Sequence, residues 1–219
     1  MNQQNRLFNI AVAHRGVVGK DSPENSLSAF SAAIKRGLPI ELDIHLTKDK
    51  KLVVFHDYTL LRMCGKLKII ELNNYSKIKD YPLKNTSHNI PLLKEVLGLI
   101  DGKMPIFIEL KALFNGKELC DLLIEELKEY KGEVVVFGFD YRAIRYIKKR
   151  TNYKVMVSCF YPKFSFKGFV PDAICCNINT LQKYGKDKIK LPIVSWTIYD
   201  ENQENFAKTI GGYLKNFYQ

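Results

Sequence analysis

Met104-Pro105-Ile106-Phe107-Ile108-Glu109-Leu110-Lys111 and Glu133-Val134-Val135-Val136-Phe137 read as two strands. Both are near-continuous apolar runs, the pattern of parallel strands covered on both faces. Between them, Leu119, Leu123 and Leu127 recur every fourth residue from Gly116 to Tyr130, with Glu118, Glu125 and Glu129 mostly outside. That spacing is helical. A strand, a helix and a second strand in this order make the crossover that parallel pairing requires.

The same alternation extends in both directions. Candidate strands are 7–13, 39–44, 52–56, 104–110, 133–138, 153–158, 172–176, 192–198 and 210–215. Candidate helices are 23–36, 91–100, 117–130, 140–150 and 201–209, with weaker ones near 161–168 and 179–186. Ser22 suits a helix N-cap, Pro23 the first helical position and Gly37 the end, with Leu27, Phe30 and Ile34 on one face. Strict alternation predicts an α/β fold with a parallel sheet. About eight strands suffice to close a (β/α)8 TIM barrel, here with a short insertion after the second strand. An open doubly wound sheet competes. The barrel is favoured because polar clusters end at least four strands spread along the chain, and a barrel gathers all strand ends at one mouth.

The 219 residues predict one domain spanning 1–219, and 46% apolar residues suffice for a sizeable core. No run of apolar residues is long enough to span a membrane. The polar start Met1-Asn2-Gln3-Gln4-Asn5-Arg6 precedes an apolar run too short for a secretory core, so a cytoplasmic protein is expected. Cys64, Cys120, Cys159, Cys175 and Cys176 are odd in number and lack Cys-x-x-Cys spacing, so reduced thiols are expected. A net charge of +11 draws phosphate-bearing partners, whether small anions, nucleic acid or anionic membrane, without choosing among them. Lys66-Leu67-Lys68, Lys148-Lys149-Arg150 and the alternating Lys186, Lys188 and Lys190 are its densest clusters.

Four polar clusters close apolar runs: His14-Arg15-Gly16, Glu41-Leu42-Asp43, His56-Asp57 and Glu109-Leu110-Lys111. On a strand, Glu41 and Asp43 share a face, as do Glu109 and Lys111. Burying such charges is costly unless a metal or an anion compensates. His14 and His56 suit proton transfer near neutral pH. Glu41, Asp43 and Glu109 are hard oxygen donors without cysteine, a set for one divalent cation, Mg²⁺ or Ca²⁺. Arg15 and Lys111 suit phosphate clamping. Together they are the inventory of metal-assisted phosphodiester cleavage. Trp196, the only tryptophan, reads equally as a pocket wall or as core, and Phe139 as a lesser wall. His45 is assigned away from Glu41 and Asp43, and with His88 counts as a bystander. Asn25 is assigned a helix-capping role that anchors the His14 loop.

Ala13-His14-Arg15-Gly16, Pro23-Glu24-Asn25-Ser26, Glu41-Leu42-Asp43-Ile44, Thr47-Lys48-Asp49, Val53-Val54-Phe55-His56-Asp57, Ile108-Glu109-Leu110-Lys111 and Ser195-Trp196-Thr197 resemble, in order and spacing, the glycerophosphodiester phosphodiesterase family. The resemblance implies a (β/α)8 barrel, a single divalent metal and hydrolysis of glycerophosphodiesters to glycerol 3-phosphate and an alcohol. It implies His14 and His56 as the acid/base pair, and Glu41, Asp43 and Glu109 as metal ligands. Arg15 and Lys111 become phosphate contacts and Trp196 a substrate-pocket aromatic. The partner is then a small-molecule substrate, and nucleic acid is not expected. One departure stands at the last strand, where the stretch matching the family's Asp-Gly-Ile-Ile-Thr-Asp is Gly211-Gly212-Tyr213-Leu214-Lys215-Asn216-Phe217. Another is the short segment between His56 and the Glu109 strand, with Arg62, Lys66 and Lys68.

Two alternatives remain at this point. A lipid-directed phosphodiesterase of the same plan, lysophospholipase D-like, needs apolar surface beside the mouth. Phe160, Tyr161, Phe164, Phe166 and Phe169 offer it, although a buried connection is the favoured reading of that stretch. A non-catalytic basic phosphate-binding module explains the charge but leaves the clustered carboxylates without a purpose.

Overall fold

The computed structural model of the chain describes residues 3–161, 166, 168–187 and 189–219. Its strands are β1 (Ala11–Val18), β2 (Ile40–Leu46), β3 (Leu52–Val54), β4 (Ile106–Leu110), β5 (Val134–Gly138), β6 (Lys154–Cys159), β7 (Ala173–Asn177), β8 (Ile193–Ile198) and β9 (Gly211–Tyr218). Parallel pairing runs β1-β2-β4-β5-β6-β7-β8-β9 and returns from β9 to β1, which closes a barrel. The α-helices are α1 (Leu27–Lys35), α2 (Leu61–Cys64), α3 (Leu93–Ile100), α4 (Gly116–Glu126), α5 (Tyr141–Arg150), α6 (Ile178–Tyr184) and α7 (Glu201–Ile210). The closed parallel barrel matches the expected architecture. The weak helix near 161–168, Phe164 and Lys188 lie wholly or partly outside the described residues. Among the described residues no helix is long and apolar enough to cross a membrane.

The alternation of strand side chains builds the interior. Phe8, Val12, Phe107, Val135, Met156 and Val194 pack together inside the barrel. Outward-facing residues such as Leu42, Ile108, Val136 and Val155 pack with Phe30, Val96, Leu123 and Ile144 of the surrounding helices. Two residues beyond the inner layer, on the same strand faces, stand His14, Glu109, Ser158, Trp196 and Asn216. All five line one cavity at the C-terminal mouth. The chain changes there from apolar to polar, so the interior changes from core to site.

Three expectations need correction. The first strand is 11–18, not 7–13, so His14 lies within it. Leu7 and Phe8 belong to a 3-10 helix, Gln3–Phe8, that packs apolar side chains into the barrel interior. The run 52–56 is no barrel strand: β3 is antiparallel to β2, pairing Ile44 with Val54, and starts the insertion after the second strand. Helix α1 starts at Leu27 rather than near Pro23. Ser26, not Ser22, is the N-cap, its hydroxyl accepting from the Ala29 amide. Asn25, at φ 58°, is held in a turn by its own amide, which donates to the Arg15 carbonyl.

Candidate active site

The cavity at the mouth has a volume of about 490 Å³. His14, Arg15, His56, Glu109, Lys111 and Trp196 line it, and Glu41 and Asp43 lie fully buried beside it. β1 and β2 set His14 beside Glu41, and β2 and β4 set Asp43 beside Glu109. The β1 strand breaks register between Ala13 and Val17, where Arg15 and Gly16 take φ of 62° and 86°. A side chain at Gly16 would put its Cβ 2.7 Å from the Ala29 carbonyl carbon, so this close strand–helix approach requires glycine. The turn aims the Arg15 amide at Glu41 Oε2, 2.9 Å away.

Glu41, Asp43 and Glu109 each offer an oxygen within 4.8 Å of the others. Glu41 Oε1 has no hydrogen-bond partner, and Asp43 Oδ1 and Glu109 Oε1 meet the Lys111 ammonium at 3.3 and 2.9 Å. Oxygens opposite one another on a hard cation lie about 4–5 Å apart, so this separation fits a shared ion. Buried carboxylate oxygens left without a donor are costly, and a cation would satisfy them. The donor set is all oxygen, which suits Mg²⁺ or Ca²⁺.

Electrostatics separate the three carboxyls. Burial, with Asp43 and Glu109 nearby, holds the Glu41 carboxyl well above its usual range. Burial raises Glu109 to about 7, with Lys111 opposing and Asp43 adding. Burial alone would raise Asp43 too, but the Lys111 ammonium and Arg15 guanidinium hold it below the usual range. Asn25 Nδ2 also donates to Asp43 Oδ2 at 2.8 Å. Asn25 therefore anchors the His14 loop as expected and also binds Asp43, but it takes no part in the α1 cap. For Lys111, burial is outweighed by Asp43 and Glu109, and the ammonium is retained.

The two cavity histidines have different partners. His14 Nδ1 lies 2.7 Å from Asn216 Oδ1 and donates to it, leaving Nε2 free of that contact. Burial and the neighbouring Arg15 push His14 down to about 4. His56 Nδ1 donates to Asp57 Oδ1 at 2.6 Å. Arg62 holds that carboxylate at 2.7 and 2.9 Å and bridges to Glu24, which also pairs with Arg15 at 2.8 Å. Burial lowers His56 despite Asp43, with Arg15 and Lys111 adding to the effect.

His45 is not a bystander facing away. β2 continues to Leu46, so His45 keeps the parity of Glu41 and Asp43, and its fully buried ring donates from Nε2 to the His56 carbonyl at 3.2 Å. His88 lies away from the cavity, as expected. Trp196 resolves toward the pocket wall, with Phe139 and Phe160 against it at ring separations of 5.8 and 5.4 Å. Phe160 and Tyr161 are exposed, while Phe166 and Phe169 pack on the core. The stretch therefore splits between the two readings given to it. Asn216, Asp57, Arg62 and Glu24 escaped the sequence reading as site residues. Asn216 had one visible signal, its place in the departure from the family's last-strand motif.

A family model described as the Glycerophosphoryl diester phosphodiesterase family matches residues 14–209. A glycerophosphodiester phosphodiesterase of Caldanaerobacter subterraneus subsp. tengcongensis is 37% identical over 153 residues, 64% of this chain and 62% of that protein. A lysophospholipase D of Rattus norvegicus is 35% identical over 150 residues, 62% of this chain and 46% of that protein. The matched region thus spans less than two thirds of either relative. An Oleispira antarctica phosphodiesterase, solved with the product sn-glycerol-3-phosphate, shares the fold at a TM-score of 0.81 and 19% identity, covering 97% of this chain and 93% of that one.

Proposed function

The chain belongs to the glycerophosphoryl diester phosphodiesterase family, and we propose that it hydrolyses glycerophosphodiesters to glycerol 3-phosphate and an alcohol. One observation carries the reading: two imidazoles, two cationic side chains and a buried carboxylate trio, brought by β1, β2, the segment after β3, and β4 and the residue after it, meet at one cavity. Glu41, Asp43 and Glu109 would hold a divalent cation, Mg²⁺ or Ca²⁺, which would supply Lewis acidity to the phosphate.

The protein's own groups do the rest. Arg15 and Lys111 hold positive charge where the phosphate sits and where negative charge grows during attack. His56 takes the proton of the attacking oxygen, because the Asp57 carboxylate behind it stabilises the imidazolium that forms. His14, whose Nε2 is free of the Asn216 contact, gives a proton to the leaving alkoxide. General acid–base transfer of this kind supplies about 10²- to 10⁴-fold. The attacking oxygen is that of water or of the glycerol 2-hydroxyl, and a cyclic phosphate product marks the second route. The reduced cysteines suit a reducing, cytoplasmic setting, and residues 1–219 act as one catalytic domain.

The test is alcohol release from glycerophosphocholine with chelator, then with Mg²⁺ or Ca²⁺ restored. No metal-dependent release from any glycerophosphodiester would reject the reading. The aromatic wall of Phe139, Phe160 and Trp196 favours a second reading, lysophospholipase D activity. Faster choline release from lysophosphatidylcholine than from glycerophosphocholine would select it.

A further inference from the structure

The rim of the mouth carries apolar surface that phosphate chemistry does not use. β4, β5 and β6 are neighbours in the barrel, and their C-terminal ends lead into Leu113 and Phe114, Phe139, and Phe160 and Tyr161. All five are exposed, Phe114 at 65% and Tyr161 at 66%. Phe139 and Phe160 stack with ring centroids 5.1 Å apart. The patch is held in place: the buried Glu71 carboxylate accepts from the Leu113 and Phe114 amides at 2.7 and 3.1 Å. The backbone is thus bonded inward while the side chains stay in water. Exposed apolar side chains at the ends of three neighbouring strands are the kind of surface that marks an interaction site.

Charge selects the occupant. Lys84 lines the cavity, Lys117 follows Phe114 at the start of α4, and the Lys183 ammonium lies 5.1 Å from the ring centroid of Tyr184, which touches Tyr161. The chain carries +11. A second copy would bring like charges together. Nucleic acid would meet the lysines and leave an arc of aliphatic and aromatic side chains in water. An anionic bilayer meets both demands, because aromatic side chains sit at the headgroup boundary and lysines pair with anionic lipids.

We propose that the β4–β6 arc of the rim docks on an anionic lipid bilayer and brings the cavity to amphiphilic phosphodiesters there. The purpose rests on the phosphodiesterase reading, whereas docking is measured without turnover. The full chain, in chelator, is co-sedimented with vesicles of phosphatidylcholine alone and of phosphatidylcholine mixed with phosphatidylglycerol. Binding to the mixed vesicles is expected, falling with added salt. A Phe114→Ser, Tyr161→Ser double variant should bind at least about tenfold more weakly, the worth of one apolar side chain leaving water. Neither residue lines the cavity, so hydrolysis of soluble glycerophosphocholine should be unchanged, which also reports that the variant is folded. No binding to mixed vesicles, equal binding to phosphatidylcholine alone, equal binding by the double variant, or self-association lost with these side chains would each overturn the proposal. Vesicle binding with no hydrolysis of any phosphodiester would reject the catalytic reading and leave the docking standing.

Discussion

Glu109→Gln should stabilise the cation-free protein while weakening its hold on a cation. Glu109 is buried at the end of β4, and burial raises its carboxyl from 4.5 to about 7 with the Lys111 attraction already included. Below about pH 4.5 folded and unfolded chains both carry the proton. Between 4.5 and about 7 the unfolded chain releases it and the folded chain keeps it, so stability falls as pH rises through that window. At ~1.4 kcal/mol per pH unit, the move from 4.5 to about 7 costs the folded state about 3 kcal/mol. Glutamine keeps an oxygen for the Lys111 ammonium and removes the ionisation. In chelator, the stability difference between variant and wild type should grow from near zero at about pH 4.5 to about 3 kcal/mol at about pH 8. Urea titrations at several pH values measure it, and the difference between proteins cancels the groups that Glu109 does not touch. Saturating Mg²⁺ or Ca²⁺ should then reverse the order, since ligand at about 100 times its Kd adds about 2.7 kcal/mol to the form that binds it. A variant no more stable than wild type at about pH 8 in chelator, or one with the same pH slope, would refute the electrostatic account.

His14→Ala and His56→Ala should each lower turnover by about 10²- to 10⁴-fold with circular dichroism unchanged, and near-normal rates would dissolve the pairing. Asn216→Asp places a carboxylate against His14 Nδ1, which favours the imidazolium, so the His14 value should climb from about 4 by about 1–3 pH units. Nitrogen-15 NMR of the imidazole reads this, and an unmoved titration would mean that residue 216 does not govern the ring. Gly16→Ala combines a φ of 86° with a Cβ 2.7 Å from Ala29 backbone, and should cost about 3 kcal/mol. A loss under about 1 kcal/mol in urea would show that the β1–α1 approach is soft.

What the sequence disclosed and what it withheld divide along a physical line. Barrel strands such as β4 and β5 are legible because covering both faces forces an apolar run. The carboxylate trio is legible because a charge ending such a run breaks the pattern at a fixed parity. β3 has an equally apolar run, Leu52-Val53-Val54, yet pairs antiparallel with β2, and composition alone does not carry strand direction. Asn216 meets His14 across 202 positions of chain, and Arg62 reaches Glu24 across 38. Such contacts have no local period, and only closure of the sheet brings them within reach. His45 stands two residues beyond Asp43, so a continuing β2 keeps it on the Glu41 and Asp43 face, and the expectation that it faces away misapplies that alternation.

The charge balance of the cluster connects these observations. With all three carboxyls ionised, Glu41, Asp43 and Glu109 carry one negative charge more than Arg15 and Lys111 supply. Glu24 and Asp57 share the Arg62 guanidinium and lie outside this count. Holding the Glu41 proton closes the gap in the cation-free cluster, which is the direction burial and its two acidic neighbours impose. Exchanging that proton for a divalent cation leaves the cluster one positive charge in excess. A phosphodiester carries a single negative charge and restores neutrality in a site where unbalanced charge is costly. Cation and substrate affinities should therefore support each other, and both should weaken as acidity returns the proton. Calorimetry of cation binding in buffers of different ionisation enthalpy counts the proton directly. Binding that releases none at about pH 7 would mean that neither Glu41 nor Glu109 holds a proton there, and the neutral-cluster account would fail.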